Sequence, residues 1–369
     1  MQTYKSRVSI CAATCGLLLS AGIGLGQVNP VTEPPFSPNF PNSADTSDTA
    51  RPGAQAETDP LAAKSNNDAA SKSSEDPLYA CACGCGIFDV GTATMLPTGQ
   101  GGMLWLEYAF QDQNINWSGS SRAPAANNDD KEIRTSFITL GLQYMFSREW
   151  GLQIELPTAY RYFDTTGGAT GNEIVGNTWA ALGDIRVQGI YAGFFPDLSA
   201  GVSFGFKLPS GDYTHNDAYD DIDRDSEIGT GSLDVLLGGF YRHNLTADNR
   251  WTAFTQALLD VPFLGREEYL PGTELDGAVG AYYNGLRVGK IGVTPIAQLL
   301  YSYRAQDSGN EASSPVASGY TRLLLSPGVE LGLHPFMIDM DAEFPVYAHV
   351  NGNQLVAPVL VKCVISYQF

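Results

Sequence analysis

Beyond residue 26 the chain has no run of about 18 apolar residues, the least that a membrane-crossing helix needs, so any bilayer it meets must be crossed by strands. Basic residues are scarce as well. Lys and Arg number 21 against 40 Asp and Glu, a formal net charge of −19. Such a chain has no basic surface with which to displace phosphate counterions, which excludes nucleic acid as a partner. Histidine is limited to His215, His243, His334 and His349, too dispersed for a paired-His metal motif, and no G-x-S-x-G nucleophile elbow occurs. No catalytic residue is assigned, and the chain reads as a non-enzyme. A C-x-x-C-H motif is also missing, so no c-type haem is attached.

What is plentiful is glycine (40), tyrosine (18) and phenylalanine (17), a mixture suited to strands, tight turns and aromatic belts. At the N-terminus, Lys5 and Arg7 precede "VSICAATCGLLLSAGIGLG", which reads as a secretory signal peptide over 1–26 cleaved near Gln27. An uncleaved anchor competes, but the run sits near the lower length limit for a span. A lipid attachment at Cys15 competes less well, since Leu17 to Leu19 would then lie on the wrong side of the cleavage point. Residues 27–77, rich in Pro, Ser, Ala, Asp and Asn, offer too little apolar surface to offset their ordering entropy and read as a disordered tether. A Cys/Gly-rich periplasmic segment over 78–100 follows.

From 101 to 369 the pattern changes to segments of roughly ten residues with alternating polarity, the signature of a membrane β-barrel. In "GMLWLEYAFQD", Leu104, Leu106, Tyr108 and Phe110 share one face and Trp105, Glu107 and Gln111 the other. "FITLGLQYMF" sets Ile138, Leu140, Leu142, Tyr144 and Phe146 against Thr139, Gly141 and Gln143. "LQIELPTAYRYF" follows the same rule, and further runs begin near Trp179, Leu198, Ser232, Arg250, Thr273, Ile291, Ser318, Phe336 and Ala357, twelve in all. Long polar connections (112–131, 164–178, 209–230, 263–272, 305–317) alternate with short turns such as "SREW", "FPD" and "LHP". That alternation predicts external loops and periplasmic turns, and an even strand count returns both ends to one side. The expected fold is an all-β, antiparallel transmembrane barrel of about twelve strands, with a narrow, partly plugged bore.

The last eleven residues, "VLVKCVISYQF", fit that fold. Val361, Cys363, Ile365, Tyr367 and Phe369 share one face, and the strand must run to its end to pair with the first and remove the free edge. A terminal Phe after alternating apolar residues resembles the signal that bacterial outer-membrane assembly machinery reads on its clients.

Three stretches carry a family resemblance. "ALGDIRVQGIY" (Ala181 to Tyr191), "FGFKLPSGDY" (Phe204 to Tyr213) and "GTGSLDVLLGGFY" (Gly229 to Tyr241) resemble the ordered motifs of outer-membrane transporters grouped with the meta-pathway phenol-degradation family. The resemblance covers roughly 101–369. It implies that Gly183 and Asp184 open a strand, that Pro209 to Asp212 end one at an external loop, and that Gly229 to Ser232 begin its partner. It also implies passage of small aromatic or otherwise hydrophobic molecules. The tether and cysteine cluster depart from the family pattern.

Candidate chemistry falls into three groups. Cys81, Cys83 and Cys85 in "CACGCG" suit a soft metal ion such as Cu(I) or Zn(II), a disulfide with one thiol left over, or an electron-transfer contact with a periplasmic partner; the three readings stay open. Cys363 is expected to face lipid as a small apolar residue. In "HNDAYDDIDRDSE", Asp217, Asp220, Asp221, Asp223, Asp225 and Glu227 surround Arg224; the spacing partly matches a calcium loop but lacks its glycine, and a solvated acidic loop that draws cations to the pore mouth is the competing reading. Glu107, Glu155, Arg161, Asp184, Arg186, Asp234, Arg242 and Asp260 are lumen candidates, because a basic side chain facing mid-bilayer lipid costs about 2 to 4 kcal/mol. Trp150 and Trp251, beside short turns, are girdle candidates. The reading is an exported bacterial outer-membrane barrel whose partners are lipid, the assembly machinery and a small solute, acting as a passive channel. The rival reading is a sheath or docking platform in an electron-transfer or metal-handling complex.

Overall fold

The computed structural model describes residues 99–167, 173–216, 222–312 and 317–369. The segments assigned above to a signal peptide and a tether, and the cluster Cys81, Cys83 and Cys85, lie outside the described residues. So do Asp217, Asp220 and Asp221.

The described chain is all-β, a closed antiparallel barrel of twelve strands. In chain order these are β1 (Gly101–Gln113), β2 (Asp130–Met145), β3 (Trp150–Gly167), β4 in two pieces (Glu173–Leu182 and Arg186–Tyr191), β5 (Ala200–Lys207) and β6 (Leu233–Asn244). There follow β7 (Trp251–Leu264), β8 (Glu274–Tyr283), β9 (Ile291–Arg304), β10 (Tyr320–Leu333), β11 (Phe336–Val356) and β12 (Leu360–Gln368). Each strand pairs with its sequence neighbours, and β12 closes on β1 with Met103 opposite Gln368 and Gln111 opposite Leu360. The expected seam is therefore made. It reaches the last residue, whose N–H donates to the Gly102 carbonyl at 2.9 Å while the Gly102 N–H donates to the Phe369 carbonyl at 2.8 Å. The Phe369 ring packs over Gly102, where a Cβ would stand 2.3 Å from it.

Alternation sorts the side chains as the pleat demands. Leu104, Leu106, Tyr108, Ile138, Leu140, Leu142 and Tyr144 are exposed on the outer face, and so are Val361, Ile365 and Tyr367. Cys363 shares that outer face and is half-buried. An exterior of this kind is stable in hydrocarbon and costly in water at about 25 cal/mol per Å² of apolar surface. Inward positions carry Gln, Ser, Asp, Glu, Lys and Arg, together with packed aromatics. Trp105, for example, is buried across Gly141, its register partner, where a Cβ would fall 2.0 Å from the indole.

The rim that holds Gly101 and Phe369, here the terminal rim, carries paired aromatics. Trp150 packs tilted against Tyr191 at 4.6 Å between centroids, Trp251 against Tyr283 at 4.9 Å and Phe336 against Tyr367 at 5.2 Å. Trp150 and Trp251 thus sit in an aromatic band at one level of the outer surface, the place that amphipathic rings take at a bilayer interface.

One strand departs from expectation. Gly183 and Asp184 do not open β4 but interrupt it: Thr158 pairs with Leu182 and Glu155 with Arg186, leaving Leu156 and Pro157 opposite Gly183, Asp184 and Ile185. Pro157 has no N–H to offer the ladder, so only the Gly183 N–H to Pro157 carbonyl bond survives, at 2.8 Å. The extra residue bends the strand and re-aims the Asp184 side chain.

Candidate functional site

The described parts of the connection between β5 and β6 on the far rim, 208–216 and 222–232, turn inward against the barrel wall and are here called the plug. Its Ile222 is buried with Ile133, Phe163, Trp179 and Leu355 from four different strands. Two inward charges hold it. Arg161, fully buried on β3, donates through Nη1 to the carbonyl oxygens of Ser226 and of Glu227, the latter at 3.2 Å, and through Nε to Thr135 Oγ1 at 3.0 Å. The His215 ring lies flat on Trp179 at 4.6 Å.

Asp184, in the bulge of β4, is the second anchor. Its Oδ1 accepts from the Gly211 N–H at 2.9 Å, and its Oδ2 accepts from both the N–H and the hydroxyl of Thr230 at 2.7 Å. The three stretches quoted for the family resemblance therefore meet at one carboxylate: Asp184 from the first, Gly211 from the second, Thr230 from the third. Backbone bonds complete the junction, with Asp212 N–H to the Leu182 carbonyl at 3.0 Å and Leu208 N–H to the Ile185 carbonyl at 2.8 Å. Gly211 and Gly229 touch backbone to backbone, leaving no room for a side chain on either.

Neighbouring far-rim loops brace the plug. Arg224 pairs with Glu267 at 2.8 Å and lies over the rings of Tyr213 and Tyr269. Tyr269–Leu270 in turn pairs with Ser308–Gly309, and buried Asp307 accepts from Tyr269, Gly272 and Arg304.

The eight lumen candidates all lie on the inner wall or in the bulge, but they do not form one line. Arg161 and Asp184 hold the plug. Asp234 and Asp260 both pair with Lys207, the latter at 2.7 Å, and all three are buried. Glu155 and Arg186 face each other across β3 and β4 at 4.0 Å. Glu107 stands on β1 beside Lys362. Arg242 is separate, near the terminal rim, where it lines a cavity of about 740 Å³ with Asn244, Thr252 and Tyr282. Sequence reasoning missed Lys207, Lys362, Asp339, Asp341 and Glu343. Alternation in "FMIDMDAEF" was the available signal, since it sets Met337, Asp339, Asp341 and Glu343 on one face.

The solvated acidic loop does not hold for its described end: Asp225 and Glu227 are buried, because Arg161 draws the backbone of Ser226 and Glu227 inward. Asp223 precedes a short 3-10 turn over Arg224–Ser226, and its carbonyl accepts from the Ser226 N–H at 2.8 Å. Burial pushes the Glu227 carboxyl from an ordinary 4.5 up to about 8, opposed by the His215 N–H that it accepts at 2.7 Å and by Arg161 and Arg224, and reinforced by Asp212. A carboxyl raised in the docked state contributes docking stability fully below its free value, and loses it as pH climbs through the docked value. Limited proteolysis of the plug should therefore accelerate between about pH 5 and pH 8, and Glu227→Gln should flatten the profile.

Among the described residues no set of three or more His, Cys, Asp or Glu is gathered to hold a metal ion. The fold defines the class, a closed twelve-stranded antiparallel β-barrel with a charged inner wall and an inward-folded loop. No family model and no curated protein matches the chain. Among solved structures it resembles an outer membrane channel of Pseudomonas putida F1, with a TM-score of 0.57 at 11% identity over 77% of this chain and 100% of that one. The beta domain of a Bordetella autotransporter follows at TM-score 0.44 and 15% identity, covering 73% and 100% of the two chains. A FadL homologue of Pseudomonas aeruginosa gives 0.37 and 10%, covering 72% and 90%. At these identities the first similarity speaks to the fold alone, and the other two add no argument.

Proposed function

We propose that this protein is a passive channel of a bacterial outer membrane, with its termini and short turns in the periplasm and its plug outside, and that it passes a small hydrophobic solute. One observation carries the reading. A barrel interior needs only polar side chains to hold water, yet here a continuous apolar cluster runs along the inner wall. Phe254, Ala278, Ile296, Leu300, Leu324 and Leu360 are all buried in it, with Phe137 and Tyr282 packed against them. Apolar surface lining a polar bore gives an apolar solute a place to leave water at about 0.8 kcal/mol per buried CH₂. The resemblance to the meta-pathway phenol-degradation transporters points the same way. Lipid contacts the outer face, and the Phe369 strand is the segment offered to the assembly machinery.

Planar-bilayer recording tests this. The purified chain should give unitary conductance steps, and a small aromatic such as toluene should interrupt the current by occupying the apolar wall. A protein that folds in detergent yet stays silent in the bilayer overturns the channel reading. A current indifferent to toluene overturns the choice of solute.

A further inference from the structure

The apolar cluster of the inner wall has a guanidinium at each end. Towards the terminal rim it includes Phe254 on β7, whose register partner on β6 is Arg242, and Ile296 on β9, whose register partner on β8 is Tyr282. The rings of Phe254 and Tyr282 pack tilted at 6.0 Å between centroids. Towards the far rim the cluster reaches Leu300 and Leu324, register partners on β9 and β10, and one inward step further Arg322 stands opposite Ser302. Arg322 lies over the Tyr320 ring at 3.9 Å, and its buried Nε and Nη2 meet no acceptor among the described residues.

At Arg242 the wall opens into the cavity of about 740 Å³, a size within the range of about 300 to 1,000 Å³ usual for small-molecule sites. Its lining has an apolar side and a polar side. Tyr282 supplies the first, since it is half-buried, packs against the apolar cluster and faces the cavity. Arg242, Asn244, Thr252 and Asn284 supply the second. Asn244 and Thr252 are register partners, and the Thr252 hydroxyl donates to Asn244 Oδ1 at 3.0 Å, which leaves the Asn244 amide nitrogen as a donor. Arg242 is half-buried, and its Nη2 reaches the Leu198 carbonyl at 3.4 Å, a long bond that a carboxylate in the cavity would better. The carboxylate of the lining, Asp197, is exposed in the turn before β5 and accepts from the Ser199 N–H at 3.2 Å, where solvent screens it. A planar cationic fork, an amide and a half-buried ring around one space suit a ligand with one planar anionic end and one apolar end.

We propose that the cavity at Arg242 is a binding site for a small amphipathic anion, a carboxylate on an aromatic body. The carboxylate takes the edge of the Arg242 guanidinium with the Asn244 amide beside it, and the ring lies against Tyr282, where the apolar wall begins. Arg322 puts a charge of the same sign at the other end of that wall. The proposal rests on the channel reading above for its place on a solute path and adds the head group of the solute.

Titration calorimetry on the full chain in detergent tests it, with phenylacetate, 2-phenylethanol and phenethylammonium as ligands of one shape and three charges. Phenylacetate should bind about tenfold more tightly than 2-phenylethanol, the worth of a charge-assisted bond, and phenethylammonium no more tightly than the alcohol. Arg242→Met should bring phenylacetate down to the affinity of the alcohol without changing the alcohol itself, and Arg242→Lys should keep part of the preference. Tyr282→Ala should weaken phenylacetate and the alcohol together. Heat-modifiable gel migration confirms that each barrel is folded, and Arg242→Gln replaces Arg242→Met if the latter is not. In planar bilayers phenylacetate should block the current with the same order of potency among the variants. A native chain that binds phenylacetate no better than the alcohol overturns the proposal and leaves the channel reading standing, as does a preference that survives in folded Arg242→Met or Arg242→Gln. A chain that shows the binding preference yet passes no ion overturns the channel reading and leaves the site.

Discussion

Asp184→Ala is expected to raise ion conductance in planar bilayers several-fold and to expose Leu208–Ser232 to protease, while the barrel stays closed. Asp184 receives three hydrogen bonds from Gly211 and Thr230 and no cation lies among those partners. Bonds to a charged acceptor contribute about 1.5 to 3 kcal/mol each. Losing them, after allowing for water that replaces part of the loss, weakens docking by about 4 kcal/mol, which shifts a docked-to-undocked ratio by about a thousandfold. The β-ladders on either side do not depend on this side chain, so detergent-resistant gel migration should persist. Asp184→Asn should fall between the two, since one amide oxygen can still accept from Gly211 whereas the amide nitrogen faces the Thr230 N–H. Arg161→Met should have a similar effect from the opposite side of the plug, by abandoning the carbonyl oxygens of Ser226 and Glu227. Unchanged conductance in both variants would mean that the plug does not limit the bore.

The barrel itself was legible because its rule is local. Period-two alternation tells Leu104, Leu106 and Tyr108 from Trp105 and Glu107 without reference to any partner, and the terminal Phe369 marks the seam. Strand limits were less legible. β2 begins at Asp130 and β11 runs to Val356, well past the alternating cores, because hydrogen bonds continue above the membrane level where apolar alternation is no longer required. The bulge at Gly183, Asp184 and Ile185 follows from Pro157 on the facing strand. Its cause is in the sequence, but only the register reveals it.

The site was legible in identity and not in grouping. Charges on inward positions were assigned to the lumen one at a time, which found Asp184 and Arg161 but not their shared task. That task depends on a loop whose fold is set by contacts with Thr230, Gly211 and Ser226, about 25 to 65 residues distant. Lys207 sits within a stretch valued for its resemblance, and its meaning appears only when β5, β6 and β7 lie side by side. The described end of the acidic loop shows the reverse: composition suggested solvent, and Asp225 and Glu227 are buried beside Arg161.

Lys207→Met should destabilise the barrel strongly, by about 3 to 5 kcal/mol, the usual penalty for stranding buried carboxylates by removing their shared partner. The midpoint of urea unfolding, read from the loss of heat-modifiable gel migration, is the measurement. Asp234 is fully buried and Asp260 is 5% exposed, so water cannot readily take the place of the ammonium. Arg186 lies close enough to act on Asp260 but is already opposite Glu155 and cannot serve all three. Adding Asp234→Asn and Asp260→Asn to Lys207→Met removes both stranded charges, and the triple variant should recover most of the loss even though it has fewer ionic contacts than the native wall. Conductance should change little in the triple variant, because the group takes no part in retaining the plug. If Lys207→Met alone is as stable as the native chain, water must reach the two carboxylates. The wall there would then be a hydrated lining.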